Sequence, residues 1–397
     1  MRQALIIGAG IAGPVAAIAL QRAGIAATIY ESYSGTAESV GGFLTVAVNG
    51  QYALRTLELD HCLAAGFPTP DMAISSGSGK LLAAFPYGPT LPNGPVARTI
   101  SRSDLYTALR AEAQDRGIEI LHGKRLLDAE SDGSAVRAHF ADGSSAVGDL
   151  LIGADGLRSR TREIIDAAAP SARYTGLLNT GGYANGVRLA SPPGELNLIF
   201  GRRAFFGYVV HPDDTVWWFA NLPESTEPCP KDLSCMDLRA RLVTLFDRDR
   251  SPALDIIGRT AALAAPYGTY DFPSVPTWSR DLMIIIGDAA HAASPSAGQG
   301  ASLAIEDAVV LAHALSEKSS ATAAFEHFEQ SRRARVERVV AWGKKAGDGK
   351  APGAFGRLIR DHIVFPFFVG PHAGRGKADP LSWIYEFPSH WDALATS

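Results

Sequence analysis

The sequence predicts an α/β fold: a mostly parallel sheet covered by helices, interrupted by an inserted sheet-rich unit and completed by C-terminal helices. Three observations carry this prediction. The first thirty-odd residues read as strand, glycine turn, helix and strand, a βαβ unit whose short crossover demands parallel pairing. Residues 172–275 change character to strand-like runs rich in aromatic side chains. Near Ser279 the chain returns to the first pattern, with the apolar run LMIII leading into GDAAH.

Taken in order, residues 3–7 read as a short buried strand, 11–23 as a helix stopping at Gly24, and Ala27 to Glu31 as a second strand. Residues 50–65 read as helical, and 68–95, rich in Gly, Pro and Ser, as an excursion bearing a hairpin. A helix follows Ser101, capped by Ser101 or Ser103, with Leu105 and Leu109 on its apolar face. Alternating runs near 118–128 and 134–140, with Asp-Gly at 132–133 and 142–143, read as hairpin strands. A buried strand at 149–152 precedes GADGLRSRTR. In the insertion, ELNLIF, AFFGYVV and VWWFANLP are strands, and HPDDT turns between the last two. Helices are predicted at about 301–316 and 321–342, and no internal repeat is visible.

Composition narrows the class. The chain has 397 residues, 46% hydrophobic and 20% charged, which fits a folded globular protein. A net charge of -4 gives no electrostatic reason to bind nucleic acid. Arg332, Arg333, Arg335 and Arg338 lie at helical spacing and are expected to face solvent. Cys62, Cys229 and Cys235 form an odd, scattered set, which argues against a disulfide framework, against a metal knuckle, and for a reduced cytoplasmic compartment. The uncharged run from Ala4 to Leu20 approaches the length of a membrane span. Gly8, Gly10, Gly13 and Pro14 interrupt it, so strand, turn and helix explain it better, and no membrane insertion is expected.

GAGIAG then acquires a physical meaning. Gly8 permits the tight turn, Gly10 lets backbone approach a pyrophosphate, and Gly13 allows helix and strand to pack closely. Ile11 and Ala12 open a helix whose unpaired N–H groups attract negative charge. Glu31, at the end of the next strand, suits the hydroxyls of an adenosine ribose. This hexapeptide alone leaves FAD and NAD both open. A second small-residue stretch far downstream, GDAAHAASPSAGQG (287–300), favours FAD, whose extended shape makes two distant demands.

Three motifs in order resemble the group A flavoprotein monooxygenases, the family of para-hydroxybenzoate hydroxylase and of bacterial hydroxylases that tailor secondary metabolites. GAGIAG with Glu31 is similar to the family's ADP-binding fingerprint. DLLIGADGLRSRTR resembles its second motif, with Asp155, Gly156, Ser159 and Arg162 on the pattern. MIIIGDAAHAASPSAGQGASLAIEDAVVLAHAL resembles the third, where Asp288 corresponds to the residue near the ribityl or pyrophosphate part of FAD. The resemblance also implies that Arg102 reaches FAD and that Leu126 offers backbone contacts to adenine. It implies that Gly298, Gly300 and Ala301 bring backbone to the isoalloxazine ring. His291 matches a family histidine that is mostly structural, and Asp155 need only orient its loop. Two departures stand out: Ser302 replaces a frequent asparagine, and the loop 41–54 contains no arginine before Arg55.

On this resemblance the fold is a Rossmann-like FAD-binding domain of the GR2 type, residues 1–171 and 279–345, including a substrate-side excursion near 68–98. Residues 172–278 form the substrate domain and 346–397 a helical and aromatic tail. The inserted sheet would roof a cavity above the flavin. Phe206, Tyr208 and Val210 share one face of a strand, and Phe205, Gly207, Val209 and His211 the other. Tyr208 and Trp218 are the candidate substrate contacts, while His211 reads as part of a turn. The implied reaction uses NADPH or NADH to reduce FAD and O₂ to form a C4a-hydroperoxyflavin, which hydroxylates or epoxidises a hydrophobic small molecule. No amino-acid side chain is assigned a catalytic role, no metal is required, and antibiotic biosynthesis is the expected setting for a monomer or homodimer. The alternatives are a related flavin reductase, dehydrogenase or halogenase, or a flavin-binding regulator without turnover. TVWWFANLP lacks the WxWxI signature expected of a halogenase.

Overall fold

A computed structural model describes residues 2–35, 42–89, 94–348, 350 and 382–386. Two large sheets organise these residues. The first runs, edge to edge, through Ser279–Arg280, Met283–Ile285, Leu150–Gly153, Gln3–Ile7, Ala26–Tyr30 and Glu119–Leu121. All its pairings are parallel except the short edge pair, with Leu5 opposite Leu151 on one side and Thr28 on the other. Leu150, Leu151 and Ile152 are buried on both faces, which is why this stretch is continuously apolar rather than alternating.

The helix Ala12–Arg22 packs against the helix Gly300–Glu317 and is buried from Ala12 to Leu20. Its small residues permit that close approach. Ser101 caps the helix Arg102–Asp115 by accepting from the Asp104 N–H, 3.0 Å away, as its position in the sequence predicts. The helical stretch expected at 50–65 is divided instead. Val48–Thr56 is α-helical and Asp60–Leu63 is a 3₁₀ turn, because Glu58 takes a left-handed conformation (φ 60°) between them.

The second sheet has eight strands among the described residues. Its order is Thr260–Leu263, Arg173–Ala184, Val216–Pro223, Phe205–Val210, Glu195–Phe200, Asp71–Ser76 and Leu81–Pro86, with Tyr267–Asp271 also paired to Arg173–Ala184. The hairpin expected within 68–95 thus joins the inserted sheet, Met72 lying opposite Leu196 in parallel register. Helices at Leu238–Phe246 and Ala253–Gly258, not anticipated from the strand-like composition of this region, cover one face. Leu242, Phe246, Ile256 and Ile257 pack there against Phe206, Tyr208 and Trp218. The other face looks toward the first sheet.

The arginine row departs from expectation in part: Arg338 is exposed as expected, Arg333 and Arg335 are half-buried and Arg332 is buried. Arg332 is 2% exposed, with Glu306 and Asp307 at 2.6 and 2.7 Å, and Arg335 bonds Glu306 at 2.8 Å. Arg333 reaches Glu329 and Glu337, and the Arg338 guanidinium lies 3.8 Å from the centroid of Trp383. Helical spacing alone cannot say which face a neighbouring helix covers. No helix among the described residues is long and apolar enough to cross a membrane. Most of the tail from 346 onward lies outside the described residues.

Candidate functional site

A cavity of about 1840 Å³ opens between the two sheets. That exceeds the ~300–1,000 Å³ of a usual small-molecule site, leaving room for an extended dinucleotide and a second ligand. One end is built almost wholly of backbone. Gly8 has φ 104°, and a Cβ there would lie 2.5 Å from the Ala154 carbonyl oxygen. A Cβ on Gly13 would lie 1.9 Å from the Gly8 carbonyl oxygen. Both glycines therefore close the turn against the sheet. Gly10 differs: a Cβ there would meet nothing within 4 Å, because it faces the cavity. Ile11 and Ala12 line the same end, where the first helix begins. An open glycine beside a helix N-terminus fits a pyrophosphate, and on this observation the residues present suit FAD.

Glu31 is buried at the end of its strand. Its carboxylate accepts from the Ala9 N–H at 2.8 Å and the Tyr33 N–H at 3.0 Å. Arg110 lies 3.6 Å from one of its oxygens and donates to the Ala9 carbonyl at 2.6 Å, a partner the sequence reading did not find. Neither Glu31 nor Leu126, buried in the strand Leu126–Ser131, lines the cavity.

Asp155 turns inward. One oxygen accepts from Ser159 Oγ at 2.5 Å, the other from the Thr161 N–H and Oγ1 at 3.0 Å each. Burial raises its carboxyl above the usual range against the pull of these bonds, and the group anchors the helix Arg160–Ile165. Gly156 and Leu157 line the cavity in its place. Arg162 ties this segment to the third motif by donating to the Ala289 carbonyl at 3.0 Å, its guanidinium stacked 4.3 Å from the centroid of Phe272.

Asp288, Arg102, Gly298, Gly300 and Ala301 come together on the cavity wall. The Asp288 carboxylate opens onto the cavity, and desolvation raises its pKa while His291 and Arg102 oppose the rise. Gly298 is left-handed (φ 62°) and closes the turn that begins at Pro295. Behind this loop lies a buried charged cluster. Asp307 accepts from the Gly287 N–H at 2.8 Å and lies 2.5 Å from His291 Nε2. Burial alone would raise the Asp307 carboxyl, but the charges of His291 and Arg332 outweigh it and hold it at about 2. His291 is thereby committed to the scaffold. Asn49 donates to Gln299 and Glu306 at 2.9 and 2.7 Å. Ser302, the departure noted above, accepts from the Ala47 N–H at 3.1 Å, and a Cβ on Gly50 would lie 2.7 Å from its hydroxyl.

The roof separates the two substrate candidates. Tyr208 packs into the core under the covering helices, its hydroxyl 2.8 Å from Ser191 Oγ, and does not line the cavity. Trp218 borders the cavity, yet its side chain is 1% exposed. Its indole stacks on Phe206 at 5.2 Å and donates to Thr260 Oγ1 at 2.9 Å. The cavity-facing side belongs to the alternate residues: Phe205 and Phe219 line it, and Trp217 packs beside them on Phe67 and His211. His211 bonds Asp213 in its turn, 2.7 Å away. Asn179 and Lys350 also line the cavity and were missed, since nothing local distinguishes them from surface polar residues. No cluster of His, Cys, Asp and Glu suited to a metal occurs among the described residues.

A family model described as FAD binding domain matches residues 1–343. The aurachin C monooxygenase/isomerase of Stigmatella aurantiaca is 30% identical over 369 residues, covering 91% of this chain and 93% of that protein. An FAD-dependent urate hydroxylase of Klebsiella pneumoniae is 30% identical over 359 residues, covering 87% and 90% respectively. The crystal structure of an HpxO variant of Klebsiella pneumoniae complexed with FAD superposes with a TM-score of 0.83 at 26% identity, covering 92% of this chain and 95% of that one.

Proposed function

The chain belongs to the FAD binding domain family, and within it to the FAD-dependent class A monooxygenases, and we propose that it inserts one atom of O₂ into an electron-rich, largely apolar small molecule by hydroxylation or epoxidation. The open cradle at Gly10, continuous with an aromatic-walled chamber, supports this reading best. Residues 1–171 and 279–345 would hold the cofactor, and 172–278 together with the hairpin strands Asp71–Ser76 and Leu81–Pro86 would roof the substrate.

FAD, when bound, supplies oxygen activation after reduction by NADPH or NADH. The chain's own residues position and enclose. The N–H groups opening the helix Ala12–Arg22 receive the pyrophosphate, and Glu31 with Arg110 borders the adenosine side. Arg102 brings a positive charge beside Asp288 and opposes the desolvation that raises its carboxyl. Gly298, Gly300 and Ala301 offer backbone where a side chain would block a flat ring. Phe205, Phe219, Leu196, Leu198 and Met72 line the chamber with apolar surface and keep water from the reacting atoms.

The test is NADPH and NADH consumption by the FAD-loaded protein across a substrate panel, with O₂ uptake and product mass read together. A product heavier by one oxygen atom, labelled from ¹⁸O₂, is the expected result. Substrate-stimulated reduction without labelled product would overturn the oxygenase reading in favour of a reductase or dehydrogenase.

A further inference from the structure

We propose that Lys350 recognises the substrate through an ionisable ring hydroxyl, phenolic or enolic, pairing with it and taking its proton. This inference rests on the oxygenase reading above and chooses between the two substrate classes it leaves open, hydroxyl-bearing rings and purely apolar olefins.

The geometry begins with the sheet register. Tyr267, Asn179, Asn221 and Phe205 lie directly opposite one another on four successive strands. Asn179 donates its amide to the Tyr267 hydroxyl at 2.6 Å, and Asn221 donates its own to Asn179 Oδ1 at 2.9 Å. Each amide nitrogen is thus spent on the next neighbour, which turns Asn221 Oδ1 toward Lys350. Lys350 Nζ donates to that oxygen at 2.6 Å and stands 4.1 Å from the centroid of Phe205 and 5.9 Å from that of Phe219.

An ammonium has three N–H donors, and among the described residues this one has a single oxygen acceptor. Lys350 is 7% exposed and lines the cavity, so its other donors are aimed where a ligand would sit. The contrast with Arg332 is direct: that buried cation has two carboxylates at 2.6 and 2.7 Å. A buried unpaired charge is costly, and burial alone lowers the Lys350 amine to about 7. Lys345 on the preceding helix, Glu227, Tyr267 and Tyr270 from the roof side, and Arg102, Arg158 and Asp288 elsewhere on the wall border the same cavity, and none of them contributes to that shift.

The neutral amine takes the proton of a substrate hydroxyl: the O–H bond breaks, an N–H bond forms, and the electron pair stays on oxygen. Ammonium and oxyanion then compensate one another. The oxyanion also enriches the ring carbons ortho and para to it, the positions an electrophilic oxygen donor attacks. A carboxylate would arrive already ionised and give the amine no proton to accept. The aromatic faces of Phe205 and Phe219 beside the amine suit a planar ring.

Binding of 4-nitrophenol to the FAD-loaded protein tests this without turnover, so its outcome is independent of whether oxygen is incorporated. Difference spectra should show bound phenolate at a pH where the free probe is still largely protonated. Lys350→Met should bind the probe at least tenfold more weakly and as the neutral phenol, while 4-nitroanisole binds both proteins alike. The pH dependence follows from the lowered amine: phenolate affinity in the wild type falls as pH rises above about 7 and the ammonium is lost. Lys350→Arg stays charged, so its affinity should hold to pH 10. That variant also keeps the test valid if Lys350→Met does not retain FAD. Unchanged affinity and spectrum in both variants, or Lys350-dependent preference for 4-nitrobenzoate over the phenol, would overturn the proposal.

Discussion

The two ends of the cavity are built by different means. At the end proposed for the cofactor much of the wall is backbone, Gly10 and the helix start on one side and Gly298 and Gly300 on the other, with Arg102 and Asp288 among the side chains there. At the roof they are side chains, with Phe205, Phe219, Asn179 and Lys350 converging from three strands and a segment beyond the last long helix. Backbone recognition asks only that side chains be absent and the turn be tight, so glycine spacing records it. Side-chain recognition depends on which strands pair and in what register, and no single stretch of chain contains it.

The largest expected effect tests what supports the backbone wall at the cofactor end. Arg332→Met leaves Glu306 and Asp307 buried without their cation, which should cost about 3–5 kcal/mol in urea unfolding. Because Asp307 also holds the Gly287 N–H, FAD affinity should fall with it. A loss below about 1 kcal/mol would show that the loop stands without the cluster. The sign with pH is fixed by Asp307. Its native pKa of about 2 lies below the ordinary 3.8, so the cluster's stabilisation is present above the ordinary value and lost as pH falls toward 2.

Two glycine substitutions separate packing from ligand contact. Gly13→Ala forces a Cβ against the Gly8 carbonyl and should cost about 3 kcal/mol, read as a lowered melting temperature of the FAD-free protein. Gly10→Ala meets no protein atom within 4 Å, so that melting temperature should not move. Its FAD affinity should nevertheless drop about tenfold, ~1.4 kcal/mol. Equal effects of the two on melting would erase the distinction drawn at this end.

The smallest effect concerns the roof. Trp218→Phe loses the indole bond to Thr260 and should cost about 1 kcal/mol, with the substrate KM unchanged. A raised KM would return Trp218 to the substrate wall and weaken the division between the two faces of the strand.

Much of the cofactor half was legible in the chain. The strand ALII, the glycine turn and the helix fall where the pattern places them, and Ser101 caps as expected. Asp288, Arg102, Gly298, Gly300 and Ala301 do share one wall. Less legible was which way a carboxylate turns: Asp155 sits within its motif but faces its own helix. The burial of Arg332 was not legible because helical spacing shows that residues share a face without naming what covers it. Tyr208 and Trp218 could not be placed from sequence for a related reason, since alternation separates two faces and helices at 238–258 decide which is core.

The sequence by itself determined the parallel βαβ core, the nucleotide cradle and the membership in an FAD-dependent family. Each rests on short-range constraints: a turn that admits only glycine, a helix start, an apolar strand between them. Only the tertiary structure decided which face of the inserted sheet borders the cavity, that Arg332 is caged by carboxylates, and that Lys350 stands over Phe205 with Asn221 as its acceptor. Those placements depend on contacts between residues far apart in the chain, where the value of a side chain is set by its neighbours in space.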